Sequence, residues 1–113
     1  WNGSAWIQKG GDIDGELGSD LSGISVSLSS DGSIVAIGAI GNDGTGSDAG
    51  HTRAYEWNGS AWVQMGSDID GEAAGDYSGR SVSLSNDGRT VAIGAIFNDG
   101  TGSNAGHVRV YAG

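Results

Sequence analysis

Shifted by 56 residues, the chain lies on itself. Trp1-Asn2-Gly3-Ser4-Ala5-Trp6 returns as Trp57-Asn58-Gly59-Ser60-Ala61-Trp62, and Ser25-Val26-Ser27-Leu28-Ser29 as Ser81-Val82-Ser83-Leu84-Ser85. Val35-Ala36-Ile37-Gly38-Ala39-Ile40 returns as Val91-Ala92-Ile93-Gly94-Ala95-Ile96. Roughly 40 of 56 aligned positions are identical, without a gap. The 113 residues therefore divide into two copies of one unit, 1–56 and 57–113, apart from one last glycine. A period of this length marks repeats that each form one supersecondary unit and bury a face only against a neighbour. Copies this close point to recent duplication or deliberate construction.

Each unit reads as strands joined by turns. Ile24 to Leu28 alternates apolar and small polar residues, the period of a half-buried strand. Asp31-Gly32 and Asp87-Gly88 supply turns. Ile34 to Ile40 is continuously apolar and rich in β-branched residues, as in a strand covered on both faces. Gly38 and Gly94 inside these runs leave room for close approach of a neighbouring backbone. The turn formers Asn42-Asp43-Gly44-Thr45-Gly46-Ser47 make a loop, and a third strand spans His51 to Glu56, with its counterpart at His107 to Tyr111. Asn58-Gly59 between aromatic and apolar runs is a hairpin signal, so a fourth strand is expected over Ala61 to Met65. No segment holds a helical period.

Four short antiparallel strands per repeat, with Gly/Asp turns, match a propeller blade. Gly75-Asp76-Tyr77-Ser78-Gly79-Arg80, the strand and turn that follow, Val91 to Ile96, and Gly106-His107-Val108-Arg109-Val110-Tyr111 carry the pattern. It resembles the FG-GAP (integrin-like) repeat family of β-propellers, over nearly the whole chain and twice. There are departures. Ser22 and Ser78 stand where the family usually has phenylalanine before glycine, and Ile40 and Ile96 replace the proline of Gly-Ala-Pro. Many family repeats carry an Asp-x-Asp-x-Asp-Gly calcium loop after the first strand. Here Leu28-Ser29-Ser30-Asp31-Gly32 keeps only the Asp-Gly, which removes most of the ligand set. The resemblance implies an all-β propeller and an extracellular or cell-surface recognition role.

The order of strands sets an expectation for assembly. The middle of the chain holds one complete blade, the C-terminal part three strands, and Ala5 to Lys9 a lone fourth strand. Known propellers close with about four or more blades. Unpaired edges and uncovered blade faces invite association. We therefore expect a head-to-tail ring of identical chains closed by strand exchange, with three copies giving six blades or four giving eight. Ala5, Trp6, Ile7, Gln8 and Lys9 of one copy would complete the sheet edge formed by His107, Val108, Arg109, Val110 and Tyr111 of another.

The formal net charge is −9, from 14 acidic and 5 basic residues, which argues against a nucleic-acid partner. No apolar run approaches a membrane span, and no N-terminal segment has the form of a signal peptide. Without cysteine there is no disulfide, thiolate metal site or thiol nucleophile. Acidic residues recur at Asp12, Asp14, Glu16 and Asp20, and again at Asp68, Asp70, Glu72 and Asp76. Oxygen donors at alternate positions beside a glycine suit calcium. The same residue types also hold tight turns through side-chain-to-backbone bonds, and that role is the expectation, with calcium the one cofactor these loops allow. The loop Asn42 to Asp48 is a further acidic loop, weakened in its copy, where Asn104 replaces Asp48.

His51, Arg53 and Tyr55 share a strand face, as do His107, Arg109 and Tyr111. They are expected to form a structural row rather than an acid–base cluster, because a residue repeated in each unit serves the unit. Trp6 and Trp62 fit packing on an adjacent sheet or an interface as well as sugar stacking. Asn2 and Asn58 lie in formal glycosylation sequons, but the expectation is that they simply form hairpin turns. The pairs Lys9/Met65, Ile24/Arg80, Ser33/Arg89 and Gly41/Phe97 differ most and are expected at exposed or edge positions. The leading function is a non-catalytic scaffold or interaction module. A calcium-stabilised adhesion or carbohydrate-binding module and a hydrolase working at a central channel are the alternatives.

Overall fold

The computed structural model describes residues 3–18, 20–41, 46, 48–98 and 105–113. These form two antiparallel sheets and no helix. The first sheet runs in chain order through β1 (Ser22–Leu28), β2 (Ile34–Ala39), β3 (His51–Trp57) and β4 (Trp62–Gln64). A two-residue strand, β5 (Ile69–Asp70), also pairs with β3. The second sheet comprises β6 (Ser81–Leu84), β7 (Thr90–Ala95) and β8 (His107–Ala112). The registers repeat with the sequence: Val26 faces Ile37 as Val82 faces Ile93, and Ile37 faces Arg53 as Ile93 faces Arg109.

The Asp-Gly turns are built as the sequence indicates. Asp31 Oδ1 accepts hydrogen bonds from Ser33 N (2.9 Å), Ser33 Oγ (2.7 Å) and Ser29 Oγ (3.0 Å). Asp87 Oδ1 takes the same role toward Ser85 Oγ and Arg89 N. Bonds to the charged form hold both carboxyls below their ordinary pKa, led by the Ser33 hydroxyl at Asp31 and the Arg89 amide at Asp87. The Trp57–Trp62 hairpin closes on Asn58, whose Oδ1 accepts from Ser60 N and Ala61 N.

The sheets pack face to face, and the two faces that meet are different. The first presents small residues: Ser25 and Ser27 on β1, Ala36 and Gly38 on β2. The second presents large ones, with Val91 and Ile93 buried against Ala36 and Val82, Leu84 and Tyr111 packed around them; Ile69 of β5 joins this core from the first sheet. Gly38 is required here, because a Cβ at that position would lie 2.0 Å from the Gly79 carbonyl oxygen. Ser25 Oγ donates to that same oxygen (2.7 Å), and Leu84 N donates to Ser27 Oγ (3.0 Å). Ser30 N also donates to Asn86 O (2.9 Å), joining the two turns. The serine hydroxyls and backbone groups named here each meet a partner, which offsets the cost of placing them between the sheets.

Ala5 to Lys9, expected to form a strand on the sheet of another copy, run as exposed coil in the single chain. Strand β4 exists because Tyr55 to Trp57 stand beside it, whereas no described strand stands beside Ala5 to Lys9. Strand β5 was not expected; its two residues are too few to show a period. The loop read over Asn42 to Ser47 lies outside the described residues except for Gly46.

The Gly38→Ala variant should lose about 1–3 kcal/mol of stability by forcing the sheets apart. Urea denaturation against the unaltered chain measures it.

Candidate functional site

On the outer face of the first sheet, His51, Arg53 and Tyr55 of β3 line a narrow cleft with Asp14, Glu16 and Ile37. Alternation along β3 puts the three on one face, as the sequence indicates. Arg53 is the hub. Its Nη2 donates to Glu16 Oε2 (2.6 Å) and to Asp68 Oδ2 (2.9 Å), and its Nε donates to Asp68 Oδ1 (2.7 Å). Gln64 Nε2 adds a bond to Asp68 Oδ1 (2.7 Å). The fork holds Asp68 ionised, with its pKa lowered to about 2 chiefly by Arg53 and then by Gln64, against some desolvation. Asp68 in turn raises Arg53 above its already high value.

His51 is 3% exposed, and among the described residues its Nδ1 has no hydrogen bond while lying 3.7 Å from Asp68 Oδ2. Asp70 is paired with His51 across β5 and β3. One donor atom each from His51, Asp68 and Asp70 fall within 4.8 Å of one another, a geometry open to a divalent cation. The guanidinium already neutralising Asp68 opposes such an ion. A carboxylate with a pKa near 2 is also a weak base, so the cluster is suited to holding parts together rather than to moving protons.

The remaining acidic residues are divided among other partners. Glu72 pairs with Arg109 and, with Asp76, accepts both N–H groups of the buried Asn98 amide (3.1 and 2.8 Å). Asp20, 4% exposed, accepts from Leu17 N (3.2 Å), the turn role expected for it. Asp12 accepts from Gln8 Nε2 (2.9 Å), as Asp68 does from Gln64. The eight acidic residues thus meet at separate places, Glu16 with Asp68 at Arg53 and Glu72 with Asp76 at Asn98. The sequence reading missed Asn98, Gln64 and the Arg53 fork. Their signal was the repeat itself, since Asn42, Gln8 and Arg109 stand at the same places in the other copy. Asn42 and Asn104 lie outside the described residues, as do Trp1 and Asn2.

The residues expected at an interface are mostly at the surface. Trp6 is 83% and Ile7 65% exposed, and Val108 and Val110 are 68% and 64% exposed. Lys9 folds back onto the hairpin, its ammonium 5.1 and 5.3 Å from the Trp57 and Trp62 ring centres, while its carbonyl accepts from Trp62 Nε1 (2.9 Å). Trp62 therefore packs on Trp57 and on the N-terminal segment. His107 is half-buried, and Tyr111 packs on the core between the sheets. Among the divergent pairs, Lys9, Ile24, Arg80, Arg89 and Phe97 are exposed, and Met65, Ser33 and Gly41 half-buried. Phe97 packs edge-on against Tyr77.

Stacked antiparallel sheets built from one repeated unit define an all-β repeat protein. Residues 68–111, within the second unit, match the family described as the FG-GAP repeat, which supports an FG-GAP repeat assignment there. FG-GAP repeats suggest β-propeller-type interaction modules, are typically non-catalytic, and are typical of extracellular or surface proteins. No curated protein matches the chain.

Asp68 gives a pH signature. Its folded pKa lies below the ordinary 3.8, so its contribution is full above about pH 3.8 and is lost as pH falls toward 2. In urea denaturation from pH 5 to 2, Asp68→Asn should remove about 1–2 kcal/mol at pH 5 and flatten the decline across this window.

Proposed function

We propose that the chain is a non-catalytic β-propeller interaction module that associates with copies of itself into a closed ring. The observation that carries this reading is a pair of uncovered apolar faces. Val26 and Leu28 on one side are 62% and 60% exposed, and Val108 and Val110 on the other are 68% and 64% exposed. Apolar residues grouped on a sheet face mark a surface that another protein covers. The family supports the propeller geometry and an extracellular or cell-surface setting. Exchange of the segment Ala5 to Lys9, which holds the place in the first repeat that β4 holds in the second, completes the sheet that ends in β8. Three copies give six blades, the preferred ring, and four give eight.

Light scattering over a concentration series, with and without EDTA, tests the reading. The expected mass is three or four chains, unchanged by chelator, with a melting temperature that rises with concentration. A monomer at every concentration overturns it.

A further inference from the structure

The contact between the two sheets is itself a template. Its two halves each recur in the chain 56 residues away, and both recurrences face outward. The small-residue face that receives the second sheet (Ser25, Ser27, Ala36, Gly38) returns as Ser81, Ser83, Ala92 and Gly94. These lie on the outer side of the second sheet, because Gly94 and Ala92 pair with the exposed Val108 and Val110. The large face that docks there (Val82, Leu84, Val91, Ile93) returns as Val26, Leu28, Val35 and Ile37 on the outer side of the first sheet.

The socket has a shape. In the first sheet, Gly38 and Gly50 leave the space taken by the backbone of Ser78 and Gly79, so close that a Cβ at Gly50 would lie 2.1 Å from Ser78 O. Ser78 and Gly79 are buried there. At the equivalent place in the second sheet is an open depression of about 410 Å3, lined by Ser81, Gly94, Gly106, His107 and Val108. The residues equivalent to the plug, Ser22 and Gly23, are exposed. Among the described residues of the same chain, only the Ser81 hydroxyl comes within 3.5 Å of a Cβ at Gly94. Among the described residues, the close backbone that explains Gly38 has no counterpart over Gly94.

The polar contacts recur in the same way. Arg53 is held by Glu16 of its own repeat and by Asp68 of the next. Arg109 is held by Glu72 of its own repeat. Asp12, fixed by Gln8 as Asp68 is by Gln64, is the residue equivalent to the second carboxylate.

We infer that the outer face of the second sheet binds the outer face of the first sheet of a second copy of this chain, reproducing the internal junction. Ser22 and Gly23 of the second copy fill the depression over Gly94. Ser81 Oγ donates to its Gly23 carbonyl, Leu28 N donates to Ser83 Oγ, and Asp12 joins Arg109. The inference rests on the self-association proposed above and adds the faces, the register and the polarity of the contact.

The test uses two variants, each blocking one face. Gly94→Ala places a methyl group in the socket, and Val26→Asp places a charge on the docking face. Each alone should stay folded by circular dichroism and associate roughly ten- to a hundredfold more weakly. Mixed in equal amounts, the two retain one intact face each, and light scattering should show a dimer that grows no further. Val110→Asp, on the same face as Gly94, replaces Gly94→Ala if that variant fails to fold. An unaltered chain that assembles while the variants assemble equally well, or a mixture that stays monomeric, overturns the inference alone. An unaltered chain that is monomeric overturns the underlying self-association as well.

Discussion

The approach of the Gly79 carbonyl to Gly38 sets the spacing between the sheets, and the rest of the structure depends on that spacing. With no side chain at either position, the backbones come near enough for Ser25 Oγ to reach the Gly79 oxygen at 2.7 Å. The same spacing lets Ser27 Oγ accept the amide of Leu84, which as part of the edge strand β6 would otherwise point away from its own sheet. Ile93 and Val91 then reach down to Ala36 and close the core. A larger residue at Gly38 separates all of these at once. A chain of this size has little apolar area to bury, so tight packing over a small face matters more than it would in a larger core.

Polar side chains do a second part of the joining. Arg53 sits on β3, yet its two carboxylate partners come from the segment before β1 and the segment before β5. It therefore ties one repeat to the beginning of the next. Asn98, 2% exposed, acts within the second repeat, linking the segment after β7 to Glu72 and Asp76. A buried amide is costly without partners and fixes geometry when it has them. The acidic character of the chain is thus partly structural: carboxylates are anchors for a small number of arginine and amide donors.

The strands were legible in the sequence wherever local pattern decides them. The alternation of Ile24 to Leu28 lies within β1 (Ser22–Leu28), the apolar run Ile34 to Ile40 forms β2 up to Ala39, and Asp31-Gly32 makes the turn between them. The fate of Ala5 to Lys9 was not legible, because a strand is a property of a pair and the sequence shows only one member. Strand β5 escaped notice because two residues carry no period. The acidic positions could be seen as oxygen donors, but their partners lie far off in sequence: Glu16 is 37 residues from Arg53, and Asp68 is 15. Residue type identified the groups; only the fold assigned them to Arg53 and Asn98 or placed them beside His51.

The inequality of the two faces of each sheet limits how such units can combine. A small face against a small face would leave voids beneath Ala36 or Ala92, and a large face against a large one would overpack valine, leucine and isoleucine. Only small against large reproduces the fit seen between Gly38 and Gly79. A two-fold contact uses the same patch twice, so neither face satisfies it. Under the proposed self-association, such units would stack with one polarity, each turned relative to the last by the same rotation. The small residues on one side of the sheet and the large ones on the other would then set the direction of that assembly, and the 56-residue repeat its regularity.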